Sequence, residues 1–296
     1  MHANPYILLT LTPLFWAGNA IAGRLAVGVI SPVGLTFFRW SIACVILYLL
    51  ARPHLQRDWA VARRHLLLLF GLGALGFSAF NIGLYWALNY TTAINATIEQ
   101  SAMPVLIIVA NYLFFSTRIT ALQGVGVLLT IAGVLVTATR GAPLAILEAG
   151  VNRGDAMMIL CILLYTGYTV ALRFRPDIHW TSLMFILTAS ATLFALPFYA
   201  VEIVQSGFEV PGPRALAIIA YTAIFASILS QLFFIRGVAI LGANRAGLFI
   251  NLVPIFGAIL AVAILSESFQ LYHLSGISLV LAGIAMAERF GEHRRA

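Results

Sequence analysis

The chain has 296 residues, of which 61% are hydrophobic and only 9% carry a charge, and its mean hydropathy is +0.99. A soluble domain has about 45–50% apolar and about 25% charged residues, so this composition excludes a water-soluble fold and indicates lipid as the solvent. The net charge of +7 comes from arginine, since the chain has no lysine. Because the arginines lie in short stretches between apolar runs, they indicate membrane topology rather than nucleic-acid binding.

Ten apolar stretches follow one another along the chain, each close to the roughly 20 residues that a transmembrane helix needs. We expect the first to remain uncleaved, because no basic residue precedes it and its apolar run continues past Ala20-Ile21-Ala22. The connections are short, and none could hold a soluble catalytic domain. The predicted spans are residues 5–29, 32–50, 65–88, 93–115, 120–139, 154–174, 180–201, 214–236, 243–265 and 270–288.

Arginine is distributed unequally between the two ends of the predicted bundle. The connections at one end, referred to below as the arginine-poor end, carry only Arg24, Arg140, Arg153 and Arg214. The positive-inside rule places the other, arginine-rich end in the cytoplasm. Both termini are then cytoplasmic, as an even number of spans requires. The arginine-rich end carries Arg52, Arg57, Arg63, Arg64, Arg118, Arg173, Arg175, Arg236, Arg245, Arg289, Arg294 and Arg295.

The second half of the chain repeats the first. A shift of 150 residues aligns Pro104 with Pro254 and Gly126 with Gly276, and a shift of 149 aligns Trp16 with Tyr165. The pattern predicts a first five-helix repeat over 1–140, a connecting loop over 141–153, a second repeat over 154–290 and a cytoplasmic tail over 291–296.

Each predicted repeat has five spans, and an odd number places the second repeat upside down relative to the first. Arg24 and Arg173 illustrate this, because they are equivalent in the repeat yet fall at opposite ends of the bundle. Inverted repeats are typical of secondary transporters, in which they generate two similar states open to opposite sides. A channel or an intramembrane enzyme could also carry such a repeat.

Several short motifs then resemble those of one family. They are residues 16–24 (WAGNAIAGR), Ser31-Pro32, Phe38-Arg39-Trp40, Gly154-Asp155, and Pro254 followed by Glu267. Together they resemble the EamA-type members of the drug/metabolite transporter superfamily, over essentially the whole chain. Within that family the chain is most similar to the YddG-type exporters of aromatic and other neutral amino acids.

The resemblance implies an all-α integral membrane fold of ten transmembrane helices, arranged as two inverted five-helix repeats around a central cavity. It implies a multi-pass protein of the bacterial inner membrane that exports small neutral metabolites, amino acids including aromatic ones, by alternating access. One departure is that the first half has Thr117 where Glu267 stands in the second, so the role of that glutamate cannot be symmetric.

Three ionisable residues within spans are candidates for gating or coupling, because charge is costly in hydrocarbon. Arg24, Arg39 and Glu99 each lie about 8–10 Å below the arginine-poor surface at 1.5 Å per residue. Their equal depth favours an ion pair of Glu99 with Arg39 or Arg24. Such a pair could be a fixed structural contact, a gate or substrate-carboxylate site, or a proton-coupling site.

Uncharged polar and aromatic side chains near mid-span are candidates for binding substrate. Amides can bind both ends of a zwitterion, although each could equally form an interhelical hydrogen bond. Aromatic rings could enclose an aromatic substrate side chain, or could instead be packing residues or interface anchors. The candidates are Trp16, Asn19, Asn81, Tyr85, Tyr165, Tyr168, Gln231 and Asn251.

Pro104 and Pro254 are equivalent in the two halves, and each removes a helix hydrogen bond. They could act as hinges of alternating access or as static kinks. No metal site, cofactor or catalytic residue is expected, because the chain has no HExxH, no GxSxG and no paired intramembrane carboxylates. The expected partners are a small neutral substrate and membrane lipid, without nucleic acid, and a monomer could suffice. An alternative substrate class is phosphorylated sugars or nucleotide precursors.

Overall fold

The computed structural model describes residues 4–117, 119–142 and 152–289, and these residues form helices joined by short connections. Arg118, most of the predicted connecting loop and the predicted tail, with Arg294 and Arg295, lie outside the described residues. Within the described part of the chain, nine helical runs are long and apolar enough to cross a membrane. The chain is therefore a multi-pass membrane protein.

The helices follow the predicted spans closely, with longer extensions in places. They are α1 (Pro5–Ala26), α2 (Pro32–Ala62), α3 (Leu66–Gly73), α4 (Phe80–Ala87), α5 (Ala93–Gln100), α6 (Met103–Phe115), α7 (Ala121–Ala138), α8 (Arg153–Ala171), α9 (Trp180–Ser206), α10 (Pro213–Ala223), α11 (Ser230–Leu241), α12 (Ala243–Ile250), α13 (Val253–Leu265) and α14 (Leu271–Arg289), with 3₁₀ turns at Arg63–His65 and Leu172–Phe174 and π-helical segments at Ala74–Ala79 and Ile224–Leu229.

The second and third predicted spans form a single helical run, Pro32–Ala87, of 56 residues. A straight helix of this length would place Arg39 and Asn81 about 63 Å apart, yet the guanidinium Nη1 of Arg39 donates to Oδ1 of Asn81 over 2.6 Å. The run therefore folds back on itself, and α2 lies against α4. The predicted end of span two at residue 50 is wrong, because α2 continues past Pro53 to Ala62.

Local sequence explains where many of the helices begin. The side chains of Asn4, Ser31, Thr92 and Asn152 each accept a hydrogen bond from a backbone N–H in the first turn of α1, α2, α5 and α8. Such caps satisfy N–H groups that have no partner within the helix. In lipid these groups cannot turn to water, so capping matters more there.

The two halves carry matching irregularities at a spacing of 150 residues. The π-helical segments start at Ala74 and Ile224. The fourth and ninth predicted spans are each broken into a helix of 8 residues and a helix of 13 residues, α5 with α6 and α12 with α13. Both 13-residue helices end at a left-handed serine, Ser116 or Ser266.

Close helix contacts depend on small residues. A Cβ added at Gly126 on α7 would lie 2.5 Å from the carbonyl oxygen of Gly283 on α14, and one added at Gly133 would lie 2.8 Å from the carbonyl oxygen of Gly276. Without glycine the two backbones could not approach so closely, as is common where helices pack in membranes. The other large contacts are those of α2 with α9 and of α1 with α11 and α13.

Candidate functional site

Arg39 is the centre of a buried polar cluster about 10 Å from the Pro32 end of α2. Its side chain is only 4% exposed. The cluster forms where α1, α2, α4 and the second π-helical segment meet. Helix α1 contributes Asn19, α2 contributes Arg39 itself, α4 contributes Asn81 and Tyr85, and the second π-helical segment contributes Ser227.

The hydrogen bonds to Arg39 are short and come from three sides. The Nε of Arg39 donates to Oγ of Ser227 over 2.6 Å. Its Nη1 faces Oδ1 of Asn19 at 2.8 Å, Oδ1 of Asn81 at 2.6 Å and the hydroxyl of Tyr85 at 2.6 Å. The hydroxyl of Tyr85 in turn donates to Asn19 over 2.8 Å, and Nδ2 of Asn81 donates to the carbonyl oxygen of Phe77 over 2.6 Å.

Every acceptor around Arg39 is neutral, so the cluster leaves its positive charge uncompensated. The Nη2 nitrogen, which carries two donor hydrogens, has one long contact of 3.4 Å to the carbonyl oxygen of Ala226. A buried charge is normally paired, and an ionisable residue within the membrane marks a functional site by default. Nη2 therefore has hydrogen-bonding capacity that the described residues leave largely unused.

A row of aromatic rings begins beside the guanidinium. The Cζ of Arg39 lies 4.6 Å from the ring centroid of Trp40, which stacks on Phe77 at 4.7 Å. Phe77 contacts Tyr168, and Tyr168 contacts Tyr165, with centroid separations of 5.6 and 5.2 Å. The row gives the charged cluster an apolar neighbour.

Gln231 lies at the edge of the same region. It shares a cavity of about 10 Å³, large enough for roughly one water molecule, with Trp40, Phe77 and Ser227. The indole Nε1 of Trp40 is buried without a hydrogen-bond partner. A second donor in this region therefore lacks an acceptor.

The expected ion pairs of Glu99 are not formed, and that expectation is wrong. Arg39 is held by the neutral groups described above, and Nη1 of Arg24 donates to the carbonyl oxygen of Leu88 over 2.5 Å. Both carboxyl oxygens of Glu99 are buried without a hydrogen-bond partner. Equal depth did not imply contact, because depth fixes only the position along a helix and not the direction of the side chain around it.

Glu99 instead lies beneath a second polar cluster at the arginine-poor end, which the sequence analysis did not single out. Asp155, at the start of α8, is 1% exposed and accepts a hydrogen bond from the hydroxyl of Thr91. Asn95 and Arg140 also lie close enough to Asp155 to interact with it, and Asp155 in turn interacts with Glu99.

The hydrogen bonds of His273 fix its state within this cluster. Its Nδ1 accepts a hydrogen bond from the backbone N–H of Gln270 over 2.9 Å, so it carries no proton. Its Nε2 lies 3.1 Å from Oδ1 of Asn95 and therefore donates to that oxygen. His273 is thus neutral, with its proton on Nε2, and 1% of its surface is exposed.

The remaining predicted residues lie elsewhere. Trp16 packs on Phe234 of α11 at a centroid separation of 5.7 Å, and Asn251 lies beside Glu288. Pro104 and Pro254 lie in the first turn of α6 and α13, immediately after the two helix breaks, rather than within a continuous helix.

The larger of two described cavities is an apolar groove of about 690 Å³ between α6 and α8. Its lining includes Leu106, Leu113, Gly167 and Phe174, and none of the predicted substrate residues. Its size suits a small organic molecule, but it offers such a molecule no charged group.

Sequence reasoning missed Ser227, the acceptor for Nε of Arg39. Its position in the repeat could have drawn attention to it, because the shift of 150 residues aligns Ser227 with Phe77, four residues before Asn81. Serine within an apolar span is nonetheless common in this chain, so the hydroxyl alone gave no signal.

Each of the two similar halves of the chain matches the sequence profile of a known family. The sequence profile of the EamA-like transporter family matches residues 4–139 and again residues 152–288. The chain belongs to the EamA-like transporter family. The resemblance stated from the motifs is confirmed, and the protein is a membrane transporter of that family.

Curated relatives in this family align over nearly the whole chain. The transporter YetK of Bacillus subtilis is 25% identical over 94% of this chain and 85% of its own. A transporter of Archaeoglobus fulgidus is 28% identical over 96% and 97%. A probable terminal-alkyne amino-acid exporter of Streptantibioticus cattleyicolor is 27% identical over 97% and 95%.

A solved crystal structure shares the fold of this chain. It superposes with a TM-score of 0.63 at 18% identity, and the alignment covers 98% of each chain. At this identity the likeness concerns the fold alone.

Proposed function

We propose that this EamA-family transporter exports neutral amino acids, including aromatic ones, and that Arg39 binds the substrate carboxylate. The observation that carries the proposal is the buried guanidinium whose acceptors are all neutral and whose Nη2 has one long contact. A carboxylate would supply both the missing charge and a bidentate acceptor. One relative is named as a probable terminal-alkyne amino-acid exporter, which is consistent with this substrate class.

The aromatic row would receive the substrate side chain. Trp40, Phe77, Tyr168 and Tyr165 begin at the guanidinium and extend away from it. A bound aromatic amino acid could thus place its carboxylate at Nη2 and its ring against this row. Aromatic pairs contribute about 0.5–1.5 kcal/mol beyond buried area.

We also propose ten crossings arranged as two inverted repeats, with both termini cytoplasmic in the bacterial inner membrane. The fold-back of Pro32–Ala87 supports counting that run as two crossings. The contacts of Gly126 with Gly283 and of Gly133 with Gly276 exchange under the 150-residue shift, as a two-fold axis between α7 and α14 requires. One chain of this size can enclose a transport pathway, so we propose a monomer that needs no cofactor.

Phosphorylated sugars or nucleotide precursors are the competing substrates. A phosphate dianion would favour two or more converging cations, whereas Arg24 is bound to the carbonyl oxygen of Leu88 and is absent from the Arg39 cluster. A channel and an intramembrane enzyme are the competing functions of a different class.

The test is flux into liposomes that contain the purified protein. We expect saturable uptake of labelled phenylalanine, tryptophan and threonine, and none of glutamate or a sugar phosphate. Flux that does not saturate would indicate a channel, and chemical conversion of the substrate would indicate an enzyme. Uptake of the sugar phosphate alone would overturn the substrate assignment.

The role of Arg39 is tested by competition. Phenylalaninamide, which lacks the carboxylate, should inhibit phenylalanine uptake at least about tenfold less well than phenylalanine, because a hydrogen bond to a charged group contributes about 1.5–3 kcal/mol. Arg39→Gln should abolish that discrimination, whereas Arg57→Gln, on an exposed part of the same helix, should preserve it. Equal inhibition by both compounds in the unmodified protein would rule out a carboxylate site.

A further inference from the structure

Glu99 is a buried carboxyl group that makes no hydrogen bond with the described residues. Its side chain has no exposed surface, and both oxygens are buried without a partner. It lies near the end of α5, a helix of which every residue from Ala93 to Glu99 is buried. In α6, the other half of the same predicted span, only Val105 is buried.

An ionised carboxylate in this position would be strongly unfavourable. A carboxylate that leaves water for an apolar interior without a compensating hydrogen bond is so unfavourable that the group takes up a proton instead. Asp155 close by adds repulsion between like charges. The conformation seen here therefore holds Glu99 in its protonated form.

The groups around Glu99 come from every helix packed on α5, namely α1, α7, α8, α13 and α14. Neither α7 nor α13 has a titratable residue in its described span. The charged or titratable groups that these helices and their ends contribute here are Arg24 from α1, Arg140 after α7, Arg153 and Asp155 from α8, Glu267 after α13, and Tyr272 and His273 from α14.

Two of these groups are already engaged elsewhere. Arg24 binds the carbonyl oxygen of Leu88, and Glu267 accepts hydrogen bonds from the backbone N–H groups of Ala93 and Ile94 over 2.9 and 3.1 Å. Arg140 lies close to Asp155, and Glu99 makes no hydrogen bond to a cation within the described residues.

We propose that Glu99 is a proton-binding site of the transporter, that the neighbouring Asp155 favours its protonated form, and that loss of its proton opens the arginine-poor end. The proposal rests on the transport function. When α5 separates from α13, the ionised carboxylate lies in a hydrated cleft and is stable there. When the proton returns, the neutral group can be buried again and α5 closes.

Under the proposed topology, this cycle exports substrate in exchange for protons that enter the cell. In the state open to the outside, the substrate leaves and a proton binds Glu99. Closure of α5 then gives the conformation seen here, in which α5 packs on α13 and Glu99 is buried. Release of the proton at the cytoplasmic side and binding of a new substrate complete the exchange, with one proton moved inward for each substrate moved outward.

The first test measures how accessible the contact between α5 and α13 is to a thiol reagent, and it needs no substrate. With Cys44 and Cys161 replaced, Thr97→Cys places a thiol in the contact between α5 and α13, where Thr97 contacts Gly257. Its labelling by a membrane-impermeant thiol reagent should rise several-fold with pH in protein that carries Glu99. Glu99→Gln should remove this rise. Comparing the two proteins at the same pH removes the effect of ionisation of the reporter thiol itself.

Two further variants make the test specific. Asp155→Asn should move the pH-dependent increase in thiol labelling to lower pH, because it removes the negative charge beside Glu99. Glu202→Gln, on α9 at the same end, should leave the rise unchanged. An identical pH profile with and without Glu99 in monodisperse protein would overturn the proposal, whatever the substrate proves to be.

The second test uses the substrate found by liposome flux. Glu99→Gln should retain exchange of substrate for substrate and lose the acceleration by a pH gradient. Gradient-driven flux equal to that of the unmodified protein would overturn coupling at Glu99 while leaving the substrate assignment intact.

Discussion

At the scale of single residues, the chain holds a buried cation with neutral groups rather than with a counter-ion. The three acceptors on Nη1 of Arg39 include the hydroxyl of Tyr85, which in turn donates a hydrogen bond to Asn19. Such a network orients the guanidinium without cancelling its charge, so the charge remains available to a ligand. An ion pair with Glu99 would have removed that property.

The hydroxyl of Tyr85 provides a direct test of this network. Tyr85→Phe leaves the donor of Arg39 and the oxygen of Asn19 less well satisfied in a buried site, and we expect a loss of about 1–3 kcal/mol in stability. The measurement is the unfolding midpoint of the purified protein in detergent. Tyr90→Phe is the matched control, because Tyr90 is 45% exposed and its hydroxyl makes no described hydrogen bond; equal effects of the two substitutions would contradict the network.

The sequence identified most members of this cluster but not their partnership. Arg39 was singled out because charge is costly in lipid, Asn19 and Asn81 because amides can bind a zwitterion, and Tyr85 as an aromatic residue near mid-span. Which of them meet depends on the rotation of each helix about its axis, and apolar residues on nearly every face of these spans leave that rotation undetermined. For the same reason Glu99 was assigned the wrong partner.

At the scale of helices, local sequence determines the starts and the irregularities more fully than it determines lengths. Capping residues precede several helices, and paired prolines follow both breaks in the fourth and ninth predicted spans. Helix α2 extends beyond the predicted end of span two at residue 50, through Arg52 and Pro53 to Ala62. Proline bends or weakens a helix when it lies inside it, but it need not end one.

The contact of α7 with α14 allows the role of close packing to be measured. Gly126→Val should destabilise the protein by about 1–3 kcal/mol or more, because the added side chain meets the backbone of Gly283 and Ala287 and neither can move aside. The readout is the temperature at which the protein loses its monodisperse peak after heating. Gly124→Ala, two residues away with open space around it, should be neutral or slightly stabilising, and a loss as large as that of Gly126→Val would contradict the argument.

At the scale of the whole molecule, the two halves share their irregularities while their polar residues differ. The π-helical segments and the helix breaks recur at a spacing of 150 residues, yet Glu99 corresponds to Phe249, and Thr117 to Glu267. Shared backbone geometry is what two exchangeable states require. Unshared charges allow the two states to differ in what they bind, which is what directional transport requires.

The number of crossings separates the proposed architecture from a simpler count of the helical runs. If Pro32–Ala87 crosses twice, the C-terminus lies on the same side as the N-terminus, and if it crosses once the two lie on opposite sides. We expect a C-terminal green fluorescent protein fusion to fluoresce and a C-terminal alkaline phosphatase fusion to be inactive, because both report a cytoplasmic end. A phosphatase fused after Glu209, in the connection between α9 and α10 at the arginine-poor end, should be active. An active phosphatase at the C-terminus would indicate an odd number of crossings. The inverted relation of the two halves would then have to be abandoned, and so would access to Glu99 from outside the cell.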